Sequence, residues 1–205
     1  MKHRRLVLSS NNIHKIDEIG RILEDLPIEV LSKRDIGLEN LEVIEDGTTL
    51  EENSKKKAIA LSEKTEYMVM ADDSGIFVEA LNGAPGVYSA RYSGDDGNDE
   101  ENNKKLLREL KDVPLEDRRG SFLTVITLVT EDKEVFTVKG ECKGHIIFEP
   151  KGSNGFGYDP LFVPDGYDKT FGELDSEVKN KISHRAKALE EMRKLLIRLI
   201  EGDLK

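Results

Sequence analysis

The chain has 205 residues, of which 37% are hydrophobic and 35% charged, with a formal net charge of −10 at pH 7. That length supplies one good core, so a single domain over 1–205, with at most two lobes, is expected. The acidic balance argues against non-specific binding to nucleic acid or anionic membrane, while leaving room for small polyphosphates, which need only a local basic pocket. Cys142 is the lone cysteine, so no intrachain disulfide forms and a reducing cytoplasm fits; it reads as a small strand residue, not a nucleophile. No signal peptide or transmembrane span is expected from the pattern.

Arg5–Ser9 reads as a first strand. Ile13, Ile16, Ile19, Ile22, Leu23 and Leu26 then recur at helical spacing up to Pro27, with Asn11 or Asn12 as a natural N-cap. Such a strand–turn–helix unit aims backbone N–H groups at the turn and suits an anion. Lys15 falls in the first helical turn, against the helix dipole, which fits either a bound anion or a solvated lysine. Ile28–Leu31 is a second short strand. After an acidic stretch with Glu42, Glu45 and Asp46, the sequence Thr49-Leu50-Glu51-Glu52 matches a capping box and predicts a helix over 50–64. Asn53 and Lys57 share one face of it.

The centre of the sequence is Met70-Ala71-Asp72-Asp73-Ser74-Gly75. A buried apolar strand ending in paired acids can hold a hard divalent cation through its oxygens, or can simply end in a polar turn. The apolar pattern resumes at Ile76–Ala80, followed by the turn-rich Asn82–Gly86. Asp96 or Asn98 can cap a helix through Leu110. Ser121–Thr130 and Glu134–Phe148, rich in Val, Ile, Thr and Phe, predict a long hairpin, with bends or bulges at Gly140 and Gly144. Gly152–Pro160 is a glycine loop carrying Phe156 and Tyr158. Its spacing does not match a dinucleotide fingerprint, and its rings suit either a base or the core. A last helix is predicted from Ser183 to Glu201, with His184 and Arg185 in its first turn and Lys179 just upstream.

Six stretches then fall in order: Ser10–Lys15; Glu45-Asp46-Gly47 through Glu52-Asn53 to Lys57; Ala71–Gly75; Pro85–Arg91; Gly155–Phe162; and Ile182–Arg185. Together, from Leu6 to about Leu195, they resemble the inosine triphosphate pyrophosphatase family, which clears non-standard purine nucleotides. The resemblance implies hydrolysis of ITP, dITP or XTP between the α- and β-phosphates. It also implies an elongated α/β fold with a long mixed sheet, two lobes around a central cleft, and a homodimer. On this resemblance Asp73 is the general base and a Mg²⁺ ligand, and Glu45 is a second Mg²⁺ contact. Ser10, Asn11, Asn12, Ile13, His14, Lys15 and Lys57 hold the triphosphate, with Ser74 a further substrate contact. Phe156 stacks on the purine, Gly157, Tyr158 and Asp159 complete the pocket, and Lys179, His184 and Arg185 read the base edge.

The residue types suit phosphoryl transfer, which needs charge neutralisation and in-line positioning more than covalent catalysis. One departure stands out: many members carry Thr-Gly-Asn where this chain has Ser10-Asn11-Asn12, and Asn tolerates left-handed backbone angles better than most residues. Two other readings stay open at this level: a Maf-type phosphohydrolase acting on other modified or pyrimidine nucleotides, and a nucleotide sensor that binds without turnover.

Overall fold

The structure, a computed structural model, describes residues 4–94 and 97–202 and all their side chains except that of His14. It is a mixed α/β fold. A six-stranded sheet has the order β2-β1-β3-β4-β5-β6, formed by Ile28–Ser32 (β2), Arg4–Leu8 (β1), Met68–Val78 (β3), Arg119–Val129 (β4), Val135–Ile146 (β5) and Phe162–Pro164 (β6). The helices are Ile13–Leu23 (α1), Leu50–Ser62 (α2), Asp99–Glu109 (α3), Ser176–Ile182 (α4) and His184–Glu201 (α5). By compactness the chain divides into two units. The first holds Met1–Asp73, Val125–Lys139 and Ala188–Lys205, and the second Ser74–Thr124 and Gly140–Lys187.

In the first unit, β1 pairs in parallel with both β2 and β3, with Leu8 opposite Ser32 on one side and Met70 on the other. Strand side chains alternate faces, and here both faces are covered. Leu6, Leu8, Met68, Met70, Ile126 and Leu128 meet Ile19 and Leu23 of α1 together with Leu189, Met192 and Leu196 of α5. Their neighbours Val7, Val69, Ala71 and Val129 meet Ala58 and Leu61 of α2. The chain therefore leaves β1 by way of α1 on one face and reaches β3 by way of α2 on the other. That reversal makes the end of β1 a topological switch point, where open α/β sheets bind ligands.

The second unit is built on Ile76, Val78, Leu106, Leu110, Phe122, Phe162 and Phe171. Phe122 meets Phe162 edge-on with centroids 4.8 Å apart, the favoured arrangement for paired rings. Arg118, 2% exposed, donates to the carbonyls of Val113 and Ile147, so its charge is buried with partners.

Several expectations change. The paired acids do not end their strand: β3 runs unbroken from Met68 to Val78. It continues because Gly75 has no side chain. A Cβ there would lie 2.3 Å from the Gly86 carbonyl oxygen, and the Ser89 hydroxyl uses that closeness to accept from Ile76 N. Gly144 sits in regular antiparallel pairing opposite Pro164, with no bulge, because its Cβ would meet the Val163 carbonyl at 2.2 Å. The last helix forms where it was expected, over His184–Glu201, with Ser183 in an extended backbone as its cap and its hydroxyl accepting from Ala186 N; the short α4 precedes it. Asn98 caps α3 by accepting from Glu101 N, while the alternative cap, Asp96, lies outside the described residues.

Candidate active site

In the first unit, the acids and lysines gather just beyond the carboxyl end of β1. Asp72 and Asp73 are consecutive on β3 and so point to opposite faces, each meeting a lysine from the helix on its own face. Lys15 of α1 reaches Asp72, with Nζ 3.0 Å from Oδ2, and Lys57 of α2 reaches Asp73 Oδ1 at 3.2 Å. Lys57 Nζ also lies 2.9 Å from Glu45 Oε2, so one ammonium draws the two predicted metal-binding carboxylates together. Lys15, the predicted anion contact, thus already faces a buried carboxylate.

The loop that carries Glu45 has no regular structure and is held at both ends. Lys33, itself buried, donates from Nζ to the Leu41 carbonyl. At the other end Asn53, 1% exposed, accepts from Gly47 N at 2.8 Å and donates to Asp73 Oδ2 at 3.2 Å. The capping box forms in part: Thr49 accepts from Glu52 N, while the Glu52 carboxylate turns to the backbone and hydroxyl of Thr48.

Burial pushes the Asp73 carboxyl above its ordinary value; Lys57 and Lys15 oppose this, and the Glu45 carboxylate adds to it. Burial alone would lower Lys57, yet the Asp73, Glu45 and Asp72 carboxylates outweigh it and hold the lysine above its usual value. The arrangement is a charged lysine flanked by carboxylates, one of them made more basic by its surroundings, which is the property a general base needs.

The turn after β1 is capped as expected. Asn12 Oδ1 accepts from Lys15 N at 3.3 Å, and Asn12 N donates to Ser10 Oγ at 3.1 Å. Asn11 needs no left-handed backbone: among the described residues, Asn82 and Lys133 are the non-glycines with positive φ. Ile13 is 61% exposed, and the His14 side chain lies outside what the structure describes.

In the second unit, Lys179, Arg185 and Asp159 converge on Phe156. Lys179 Nζ lies 4.9 Å and Arg185 Cζ 5.5 Å from its ring centroid, within the range of cation–π attraction. Asp159 Oδ2 accepts from Lys179 Nζ at 2.6 Å and from Phe156 N at 2.8 Å. His184 stacks on Phe122 at 4.7 Å with the planes 10° apart. Arg185 Nη2 comes within 3.5 Å of Ser74 Oγ, which also meets Thr124 Oγ1 at 2.8 Å. Tyr158 and Asp159 are themselves buried, and the Tyr158 hydroxyl donates to the Ser89 carbonyl, so the contacts seen for these two side chains are supporting ones.

Reading the sequence alone singled out Asp72 only as one of the paired acids, and it did not place Asp99 or Asn103 at the site. Asn53 was visible as a helical neighbour of Lys57 and within the second of the six stretches, with no role assigned to it. Asp99 and Asn103 lie on α3 and hold the backbone of Gly157 at 2.6 and 2.9 Å; they are more than fifty positions away in the chain and left no local signal.

The acids and lysines thus stand at the carboxyl end of the switch-point strand, the place where open α/β sheets bind their ligands. This chain belongs to the Ham1 family, whose model matches residues 6–195. It is 45% identical over 197 residues to the dITP/XTP pyrophosphatase of Thermoanaerobacter pseudethanolicus, covering 96% of this chain and 98% of that protein. It is 47% identical over 196 residues to the dITP/XTP pyrophosphatase of Clostridium perfringens, covering 93% and 96%. Its fold is similar to the structure of a HAM1 protein from Coxiella burnetii, with a TM-score of 0.87 and 38% identity over 95% of this chain and 99% of that one. The Ham1 protein of Staphylococcus aureus gives 0.84 and 40%, over 98% and 100%. The family expected from the six stretches is borne out, and the Maf-type reading gives way to it.

Proposed function

We propose that this protein hydrolyses non-standard purine nucleoside triphosphates, namely dITP, ITP and XTP, to the monophosphate and pyrophosphate. The observation that carries the proposal is the Asp73 carboxylate, raised in basicity and held between Lys57 and the Asn53 amide at the end of a parallel strand corner. Such a group suits proton abstraction from water, and the lysines beside it suit charge building on a departing phosphate.

Glu45 and Asp73 suit Mg²⁺. Among the described residues no group of three or more His, Cys, Asp or Glu side chains forms an all-protein metal cage. Mg²⁺ is commonly held by one or two carboxylates together with substrate phosphates and water, and two carboxylates drawn to one ammonium meet that requirement. When bound, the ion would supply charge neutralisation on phosphate oxygens.

The chain's own groups do the rest. Asp73 accepts a proton from the attacking water. Lys15 and Lys57 stabilise negative charge on the pyrophosphate, and Ser10, Asn11, Asn12, Ile13 and His14 supply the turn and helix start that face the phosphates. Phe156 offers a ring to the purine, with Gly157, Tyr158 and Asp159 shaping its loop and Ser74 nearby. Lys179, His184 and Arg185 favour a 6-keto oxygen, whereas the 6-amino group of adenine would leave a donor unsatisfied. The active form is a cytoplasmic homodimer. Phosphorus NMR of products from dITP tests the reaction: monophosphate plus pyrophosphate is expected, whereas diphosphate plus orthophosphate would place the cut elsewhere and reject the proposal.

A further inference from the structure

Phe156 sits between Gly155 and Gly157, both with positive φ of +75° and +63°. A Cβ at Gly155 would lie 1.9 Å from Asp159 Oδ2, whereas a Cβ at Gly157 would meet nothing within 4 Å. Gly157 is therefore needed for its backbone angle, not for room, and such a glycine leaves the adjoining ring free to swing unless something fixes the chain. Side chains supply that restraint. Phe156 N is held by Asp159 Oδ2. Gly157 N donates to Asp99 Oδ2 at 2.6 Å, and the Gly157 carbonyl accepts from Asn103 Nδ2 at 2.9 Å.

Asp99 and Asn103 are one helical turn apart, so they reach out from the same face of α3. That helix is itself anchored by Leu106 and Leu110, both fully buried, and by Asn102, whose amide binds the Ala90 carbonyl and Ser93 N. A rigid element thus grips both polar groups of one peptide residue beside the ring. Among the described residues Asn103 Oδ1 is buried and has no hydrogen-bond partner, so the bond this side-chain amide makes there is its donation to the Gly157 carbonyl.

We infer that Asp99 and Asn103 are positioning residues, a clamp that pre-organises the Phe156 ring for the purine. The inference rests on the purine-stacking role proposed above for Phe156. Pre-organisation lowers the ordering penalty at binding, so its loss weakens substrate capture before it touches the chemical step.

The test compares wild type, Asp99→Ala, Asn103→Ala and the double variant. Turnover of ITP is measured alongside calorimetric binding of ITP in EDTA, where no turnover is expected, and inhibition by inorganic tripolyphosphate. The double variant is expected to show KM and the dissociation constant for ITP raised about tenfold, with kcat within about twofold and tripolyphosphate inhibition unchanged. Asp99→Asn keeps an acceptor for Gly157 N and should restore most of the affinity. Unchanged ITP affinity in the double variant overturns the clamp. An equal loss of tripolyphosphate inhibition and kcat also overturns it, since that marks general damage to the fold. Wild type that binds ITP without hydrolysing it would reject the proposed reaction while leaving the clamp to be judged on binding. Wild type that does not bind ITP would reject both.

Discussion

Replacing Lys57 with Met removes a charge that bridges Glu45 and Asp73 while keeping a long apolar stem. The lysine side chain is 12% exposed and lies 2.9 and 3.2 Å from the two carboxylates. At an effective dielectric of about 20, each contact contributes attraction of about 5 kcal/mol before desolvation is set against it. Breaking a buried pair by removing one partner costs about 3–5 kcal/mol net. Glu45, about a third exposed, can turn toward water, which favours the lower end. A loss of about 3 kcal/mol lowers Tm by about 6–12 °C for a chain of this size. The dependence on pH has a definite sign. Asp73 is already raised above its unfolded value, and losing Lys57 raises it further. Stability tied to its protonated form is fully present below the unfolded carboxyl value of about 3.9 and is lost as pH rises through the higher folded value. The deficit of Lys57→Met should therefore be smaller at pH 4 than at pH 8, and adding Asp73→Asn should recover much of it at pH 8. Thermal unfolding of the single and double variants across this range checks the reasoning. A deficit below about 1 kcal/mol, or one equal at both pH values, would refute it.

Arg185→Ala should reduce the preference for ITP over ATP about 10- to 100-fold in kcat/KM, the effect of one charged hydrogen bond; an unchanged ratio would place base reading elsewhere. Burial pushes the Cys142 thiol up to about 11, so it should resist a thiol reagent at pH 8 and react fully once the chain is unfolded in urea. Prompt labelling of the native protein would contradict that environment. Gly75→Ala should lower Tm by about 5 °C or more, because its new methyl meets the Gly86 carbonyl; an unchanged Tm would mean that β3 can shift to admit it.

What the sequence revealed was mostly local. The cap at Asn12, the helix beginning at Leu50 and the N-cap at Asn98 depend on residues a few positions apart, and all formed. The Asp72-Asp73 pair was readable as a chemical centre, but not as the middle of a strand, because the contact that lets β3 continue comes from Gly86. Gly144 invited a bulge for the same reason: a close approach by Val163 leaves no mark in the neighbouring residues. Tyr158 and Asp159 show the reverse limit. Their place in a recognisable motif pointed to the ligand, while their burial and bonds give them supporting contacts. The two hydrogen bonds of Asn53, one to the acidic loop and another to Asp73, became visible only when residues 47, 53 and 73 were brought together in space.

The most direct measurement is pyrophosphate release from ITP and ATP by wild type and Asp73→Asn in the presence of Mg²⁺. The account predicts brisk release from ITP, far slower release from ATP, and a loss of at least about a hundredfold in the folded Asp73→Asn variant. Near-wild-type turnover in that variant would remove Asp73 from its role and contradict the account.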